Sequence, residues 1–292
     1  MKKKGLPMKY IDLHVHSTAS DGTLSPMEVV DHAVSLSLSA IALTDHDTLT
    51  GVSAAKERAT YHKSQGRPIE VYSGIEISAG YKEKDIHILG LFVEEENEIL
   101  IEALENARNN RMMRNYKMID KFKDIGISIT MEELLEDAPD SVITRAHFAR
   151  VLYKRGITSS IPEAFEKYLG DTSPCYVPRE YMTPEQAVAL ILQAKGVPVL
   201  AHPLLYHLPH EELYQLVERL TNVGLKGIEV YYSSNKGQDE LNVKALANHF
   251  SLIASGGSDF HGSVKPNIEL GTGKGNLKIP YSVLQNLLEL RK

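Results

Sequence analysis

Tyr10-Ile11-Asp12-Leu13-His14-Val15-His16 reads as a buried strand that ends in two histidines. Side chains alternate faces along a strand, so His14 and His16 project together while Leu13 and Val15 face the opposite layer. Two imidazoles on one face of a strand end can grip a single metal ion. An isolated His-x-His is more commonly a surface pair or a hydrogen-bonded core pair, so its meaning depends on what the rest of the chain places beside it.

Outward from this strand, Ser17 to Thr23 is a polar loop that places Asp21 within reach of the two histidines. Ser25-Pro26-Met27-Glu28 has the pattern of a capped helix start. Ala40 to Leu43 is a short apolar run of the kind found in buried parallel strands, and Thr44-Asp45-His46-Asp47 follows it directly. In α/β barrels such strand-end loops line the active site, although Asp47 and Thr48 would equally suit a helix N-cap. The strand Ile69–Ser78 carries Glu76 between Ile75 and Ile77. A buried carboxylate there needs a cation partner. His87 lies inside the apolar run Ile86–Val93, where a satisfied core histidine is the plain alternative. Farther on, Val197–Ala201 leads into His202-Pro203, and Leu252–Ser255 leads into Gly256-Gly257-Ser258-Asp259-Phe260-His261.

Between these α/β segments the pattern changes. Residues 98–178 are helical and charged with no convincing buried strand, including patches at Asn97–Lys123, Ser141–Arg155 and Ile161–Leu169. They are expected to form a helical insertion that caps a barrel made of residues 8–97 and 179–292. Arg108, Arg111 and Arg114 recur every three residues and share roughly one helical face. With Thr144-Arg145-Ala146-His147-Phe148-Ala149-Arg150 they suit a phosphate clamp, since arginine binds phosphate bidentately; a solvated charged face is the commoner use of such a pattern.

Composition limits the chemistry. At 292 residues the chain fits one large α/β barrel with a small insert. Cys175 is the sole cysteine, which rules out an internal disulfide and a thiolate-rich zinc site and fits a reducing cytoplasm. The net charge of −6 favours a small or short substrate over long nucleic acid. Met1–Lys4 is basic but no apolar run of signal-peptide length follows, and no run is long enough to span a membrane.

Of the twelve histidines, five fall at strand ends, His14, His16, His46, His202 and His261, and a sixth, His87, lies within the strand next to that of Glu76. With Asp21, Glu76 and Asp259 they make nine nitrogen and oxygen ligands without sulfur. Such a set suits two or three divalent cations, manganese first, with iron, zinc or magnesium as alternatives. Clustered cations generate a hydroxide nucleophile near neutral pH and stabilise both oxygens of an in-line displacement. Phosphate ester hydrolysis needs this most, because its uncatalysed barrier is so high. No Gly-x-Ser-x-Gly motif competes.

Six motifs in order resemble the polymerase-and-histidinol-phosphatase (PHP) family of metal-dependent phosphoesterases. They are Asp12-Leu13-His14-Val15-His16-Ser17 with Asp21-Gly22, Thr44-Asp45-His46-Asp47, Gly74-Ile75-Glu76, His87-Ile88-Leu89-Gly90, Ala201-His202-Pro203 and Ser258-Asp259-Phe260-His261. The chain is similar to the branch holding 3′,5′-nucleoside bisphosphate phosphatases, 5′-nucleotide phosphatases and a 5′→3′ exoribonuclease of short RNA. The resemblance implies a distorted, TIM-like (β/α)7 barrel and three metals. His14, His16, Glu76 and Asp259 would hold one metal, Asp21, His46 and His261 a second, and Glu76, His87 and His202 the third. It also implies substrate contacts from Arg111, Arg114, Thr144, Arg145 and His147. Leu205 stands where many relatives carry a basic residue, a departure that bears on a second phosphate contact and on the bisphosphate assignment.

The function expected is a cytoplasmic phosphoesterase that hydrolyses a nucleotide or short-oligonucleotide phosphate ester by metal-bound hydroxide. Asp21 and His261 are the candidate proton shuttles, and no membrane or obligate protein partner is expected. The alternatives are a histidinol phosphatase and, in another class, a non-catalytic metal-binding regulatory module.

Overall fold

The computed structural model describes residues 9–82, 84–136, 142–170, 172–178 and 182–291. The basic run Met1–Lys4, the expected helix start at Ser141 and the expected resumption of the barrel at 179 lie outside them.

Seven strands form one sheet in the order of the chain. They are β1 (Ile11–Val15), β2 (Ala40–Leu43), β3 (Glu70–Tyr81), β4 (Lys84–Leu91), β5 (Val197–Leu200), β6 (Gly227–Tyr232) and β7 (Ile253–Gly257). The sheet curls into a nearly closed barrel. Past the end of β7, the Asp259 N–H donates to the His14 carbonyl at 2.9 Å and the His16 N–H donates to the Phe260 carbonyl at 3.0 Å. β1, β2 and β5 are buried along their whole length, as parallel strands covered on both faces must be.

The regular (β/α)7 pattern breaks at one strand. β4 runs antiparallel to both β3 and β5, whereas the other neighbours pair parallel. β3 ends at Tyr81 and β4 starts at Lys84, which leaves no room for the dozen residues that a parallel crossover needs. One consequence is local: the start of β4 lies at the same mouth as the end of β3, with His87 opposite Ser78. Another is that β4 delivers the chain to the far end of the barrel.

The outer helices follow α1 (Pro26–Ser35) and α2 (Val52–Ser64). Ser25 and Glu28 close the expected capping box on α1. Neither Asp47 nor Thr48 caps α2, whose N-cap is Gly51. α3 (Glu98–Asp124) has 27 residues, about 40 Å at the usual rise, which carries the chain back to the mouth. It packs Leu100 and Leu104 into the main core and Met118 and Phe122 into a separate core of the insert. The expected boundary at 98 therefore falls at the start of a helix shared by both bodies.

Within the insert follow α4 (Met131–Leu135), α5 (Arg145–Lys154) and α6 (Ile161–Ala164), the last running into a π-helical turn, Phe165–Leu169. Its core joins Met118, Phe122, Phe148, Leu152, Leu169 and Cys175. The barrel resumes with α7 (Pro184–Gln193), α8 (His210–Asn222), α9 (Asp239–His249) and α10 (Tyr281–Glu289). No helix among the described residues is long and apolar enough to cross a membrane.

Candidate metal centre

Glu76 is the hub of the mouth. Its Oε2 lies 3.3 Å from His14 Nε2, 3.1 Å from His16 Nε2 and 3.2 Å from His46 Nδ1. Its Oε1 lies 2.8 Å from His87 Nδ1 and 3.0 Å from His202 Nε2. Asp259 Oδ1 stands 3.6 Å from His14 Nε2, 3.5 Å from His16 Nε2 and 3.4 Å from His261 Nδ1. Asp21 Oδ1 is 3.2 Å from His261 Nε2, and its Oδ2 is 3.9 Å from His46 Nε2. All nine residues singled out as ligands thus meet at one mouth, and all but the half-buried His87 are buried.

Three sets offer ligand atoms within 4.8 Å of one another: His14, His16, Glu76 and Asp259; His16, Asp21, His46 and His261; and His46, Glu76 and His87. The first set has the composition expected from the resemblance. The second gains His16. In the third, His46 stands where His202 was expected, while His202, whose Nε2 lies 3.0 Å from Glu76 Oε1, belongs to none of the three sets.

The residues fit divalent cations. His14 Nε2, His16 Nε2 and His46 Nδ1 are buried and have no hydrogen-bond partner, although all three converge on one carboxylate oxygen. A buried polar atom left so costs about 1–3 kcal/mol, which a shared cation removes. Burial pushes His16 down to about 3, so its ring is neutral, the form that donates a lone pair to metal. Burial also disfavours charge on Glu76, but His87, His46 and His14 outweigh it and hold the carboxyl well below the usual range. Burial lowers His14, yet Glu229, Glu76 and Asp259 raise it far more. Three carboxylates thus call for positive charge at this ring, which a divalent cation can provide.

Several supporting groups escaped the sequence reading. Glu229, fully buried on β6, faces His14 Nδ1 at 3.1 Å and accepts the His202 N–H at 2.8 Å. A proton held on Nδ1 by this carboxylate leaves Nε2 as the ligating nitrogen. Glu229 carried the same signal as Glu76, a lone carboxylate in an apolar strand. Asp12 accepts from the N–H groups of Ser258, Gly271 and His14, joining β1 to the loops after β7; burial pushes its pKa up to about 6. Asp45 accepts from Ser17 N–H, Ser17 Oγ and Ser20 Oγ, which fixes the loop that carries Asp21.

The backbone is strained where it presents these groups. Asp47, Asp259 and His202 have φ of 52°, 59° and 22°, each costing about 1–3 kcal/mol outside glycine. Gly257 lets β7 pass behind His14, since a Cβ there would lie 2.3 Å from the His14 Cβ.

Above the floor is a pocket of about 340 Å3. Asp21, His46, His87 and His261 line it from the barrel, and Arg111, Arg114, Thr144 and Arg145 from the insert. Thr144 Oγ1 donates to Asp21 Oδ2 at 2.9 Å. Arg111 is ion-paired with Asp47 and donates to Ser78 Oγ at 3.1 Å. Arg114 Nη1 lies 2.7 Å from Met118 Sδ, and Arg145 Nη2 lies 3.8 Å from Asp85 Oδ2. His147 is not among the lining residues. Its Nδ1 accepts the Thr144 N–H at 3.1 Å and so closes the capping box that starts α5. Leu205 is also outside the lining. Lys265, which the sequence reading passed over, lies in the pocket with Nζ 2.6 Å from Asp259 Oδ2.

Residues 12–173 match the model of the PHP domain. The chain belongs to the PHP domain family. It is 35% identical over 260 residues to the 5′-3′ exoribonuclease Rnm of Escherichia coli K12, covering 89% of this chain and 87% of that one. It is 34% identical over 256 residues to the 3′,5′-nucleoside bisphosphate phosphatase of Chromobacterium violaceum, covering 87% and 88%. Among solved structures, an amidohydrolase from C. violaceum with bound sulfate superposes with a TM-score of 0.86 at 32% identity, covering 97% of this chain and 96% of that one. A protein of Bifidobacterium adolescentis described as a metal-dependent phosphoesterase superposes with a TM-score of 0.85 at 28% identity, covering 98% and 97%. This PHP protein is a phosphoric ester hydrolase built for divalent metals. Its site extends past the matched span, because His202, Asp259 and His261 lie beyond residue 173.

Proposed function

We propose that this PHP protein hydrolyses a phosphate ester of a nucleotide or a short oligonucleotide. One observation carries the reading: Arg111, Arg114, Thr144 and Arg145 roof the pocket whose floor is Asp21, His46, His87 and His261. A phosphate held there faces the whole ligand cluster. The exoribonuclease and the nucleoside bisphosphate phosphatase among its relatives support a nucleotide substrate.

The three ligand sets would hold two or three divalent ions, manganese foremost. Bound there, they would supply Lewis-acid polarisation of the phosphoryl oxygens and an acidified water. The remaining work falls to side chains. Arg145 and Arg111 anchor the phosphate through charge-assisted hydrogen bonds. Glu229 orients His14. Asp21 would give one carboxylate oxygen to a metal and use the other to pass a proton from the attacking water to the leaving oxygen as the P–O ester bond breaks, with His261 Nε2 3.2 Å from its Oδ1. The cap of residues 98–178 excludes bulk water from the phosphate.

The test is phosphate release from AMP, adenosine 3′,5′-bisphosphate and histidinol phosphate by protein stripped with chelator and then reloaded with manganese. Activity on the nucleotides that vanishes on stripping and returns with the metal is expected. Full activity after exhaustive chelation, or a preference for histidinol phosphate, would overturn the reading. Fewer than two bound metals per chain would favour the regulatory module instead.

A further inference from the structure

The two oxygens of Asp259 have different neighbours. Oδ1 faces the ligand cluster, 3.6 Å from His14 Nε2, 3.5 Å from His16 Nε2 and 3.4 Å from His261 Nδ1. Oδ2 accepts from Tyr232 Oη at 2.8 Å and from Lys265 Nζ at 2.6 Å. A carboxylate oxygen has about two lone pairs, so two donors at these distances occupy both. Asp259 is thereby left with a single oxygen to offer a cation.

The fold places both donors. Tyr232 stands three residues after Glu229 on β6, and strict alternation would turn the two side chains to opposite faces. The register slips between Glu229 and Tyr231, opposite Ser255 and Gly256. Such a bulge adds a residue and re-aims the side chain beyond it, so Tyr232 reaches the mouth as Glu229 does. Its ring is buried, 5.4 Å from that of His202. Lys265 follows the short turn Gly262–Val264 after β7. The Ser263 N–H donates to Thr23 Oγ1 at 3.0 Å and the Ile268 N–H to the Lys265 carbonyl at 2.9 Å, which fixes the chain on both sides of the lysine. Its side chain is half-buried and meets Asp259 from within the pocket.

The consequence is a coordination count. The first set is His14, His16, Glu76 and Asp259. Glu76 offers it Oε2, since Oε1 is engaged by His87 and His202. Manganese takes about six ligands, so four single donors leave about two positions. An in-line displacement uses one for the attacking water and one for a phosphoryl oxygen. A two-oxygen Asp259 would fill one of them.

We propose that Tyr232 and Lys265 are positioning residues that confine Asp259 to one-oxygen ligation and so keep a coordination position open at the first ligand set. The inference rests on Asp259 as a metal ligand and is independent of the nucleotide reading.

The test is manganese binding to the full chain, with electron paramagnetic resonance reading affinity and water-proton relaxation reading the water on bound manganese. Lys265→Met/Tyr232→Phe removes both donors with little change of shape. Bound manganese in this variant should carry about one water fewer per chain. Affinity should be at least that of the parent, because Asp259 then chelates and a neighbouring positive charge is gone. Its kcat on p-nitrophenyl phosphate should fall about 10–100-fold, with a smaller change in KM. Lys265→Met alone, at a half-buried position, should move the water count in the same direction, and Lys265→Arg, which restores a cationic donor, should keep the parent's count. A merely structural role predicts the reverse pattern, with manganese lost and the water on what remains unchanged. A parent water count in the double variant, or weaker manganese binding by Lys265→Met, would overturn the proposal. A parent chain that binds no manganese would remove the ligand assignment with it, whereas parent-like binding and water count in every variant removes the proposal alone.

Discussion

At the barrel mouth, Glu76 sits within 3.3 Å of five imidazole rings, all carried on or directly after strands. In the insert, Arg111, Arg114 and Arg145 reach the same pocket on long side chains from helices that have a core of their own. The mouth is over-determined. Backbone donors bind Asp12 and Asp45, Glu229 holds His14, and Gly257 allows β7 to press against β1. The insert meets the barrel through α3 and a few hydrogen bonds, among them Thr144 Oγ1 to Asp21 and the Val142 N–H to the Ala19 carbonyl at 3.1 Å. Short side chains on a closed sheet suit metal ligation, where distances must hold to a few tenths of an ångström. Arginines suit a phosphate anchor, and Arg111 is held in place for it by Asp47 and Ser78.

If this contrast is right, damage to the two regions should differ in kind. The largest effect is expected from replacing His14 and His16 by alanine together. Turnover should fall to background and metal content should drop, because both sit in the first ligand set and His16 in the second. Far-UV circular dichroism should still report the folded barrel. Unchanged metal content in that variant would contradict the ligand assignment.

A milder test of the mouth is Glu229→Gln, which keeps the shape but weakens the hold on His14 Nδ1. A loss of about 10–100-fold in metal affinity or activity is expected, as for other partners of metal-ligating histidines. Titration with manganese should show the shift, and parent-like affinity would mean that Glu229 only fills space.

The smallest effect belongs to the insert. Arg145→Ala should raise KM about tenfold, the equivalent of one charge-assisted hydrogen bond, while metal content stays at the parent level. Loss of metal in this variant would erase the distinction between the two regions.

Much of the mouth was legible because strand alternation is local. His14, His16, His46, His202 and Asp259 stand at or just beyond the ends of apolar runs, and parallel strands end on one side. Glu76 was legible as a carboxylate between isoleucines. His87 resisted the same logic, since it lies in the first half of its strand rather than at its end. Only the antiparallel course of β4 puts that half at the mouth. The short gap from Tyr81 to Lys84 was the available clue. Glu229 lies mid-strand and was passed over although it repeats the pattern of Glu76. His147 was legible as part of a motif, but its capping role depends on where α5 begins.

The sequence by itself determined the donor chemistry on offer: nine candidate nitrogen and oxygen donors, no thiolate among them, and apolar strands to carry them. Those are properties of residue type and of a two-residue period, which any strand obeys. The tertiary structure alone decided which donors meet. His16 is shared between two sets, His46 replaces His202 in the third, and Lys265 comes to rest on Asp259. These outcomes depend on register and closure, which are fixed by hydrogen bonds between distant residues such as His16 and Phe260. A local pattern cannot encode a pairing between positions 244 residues apart.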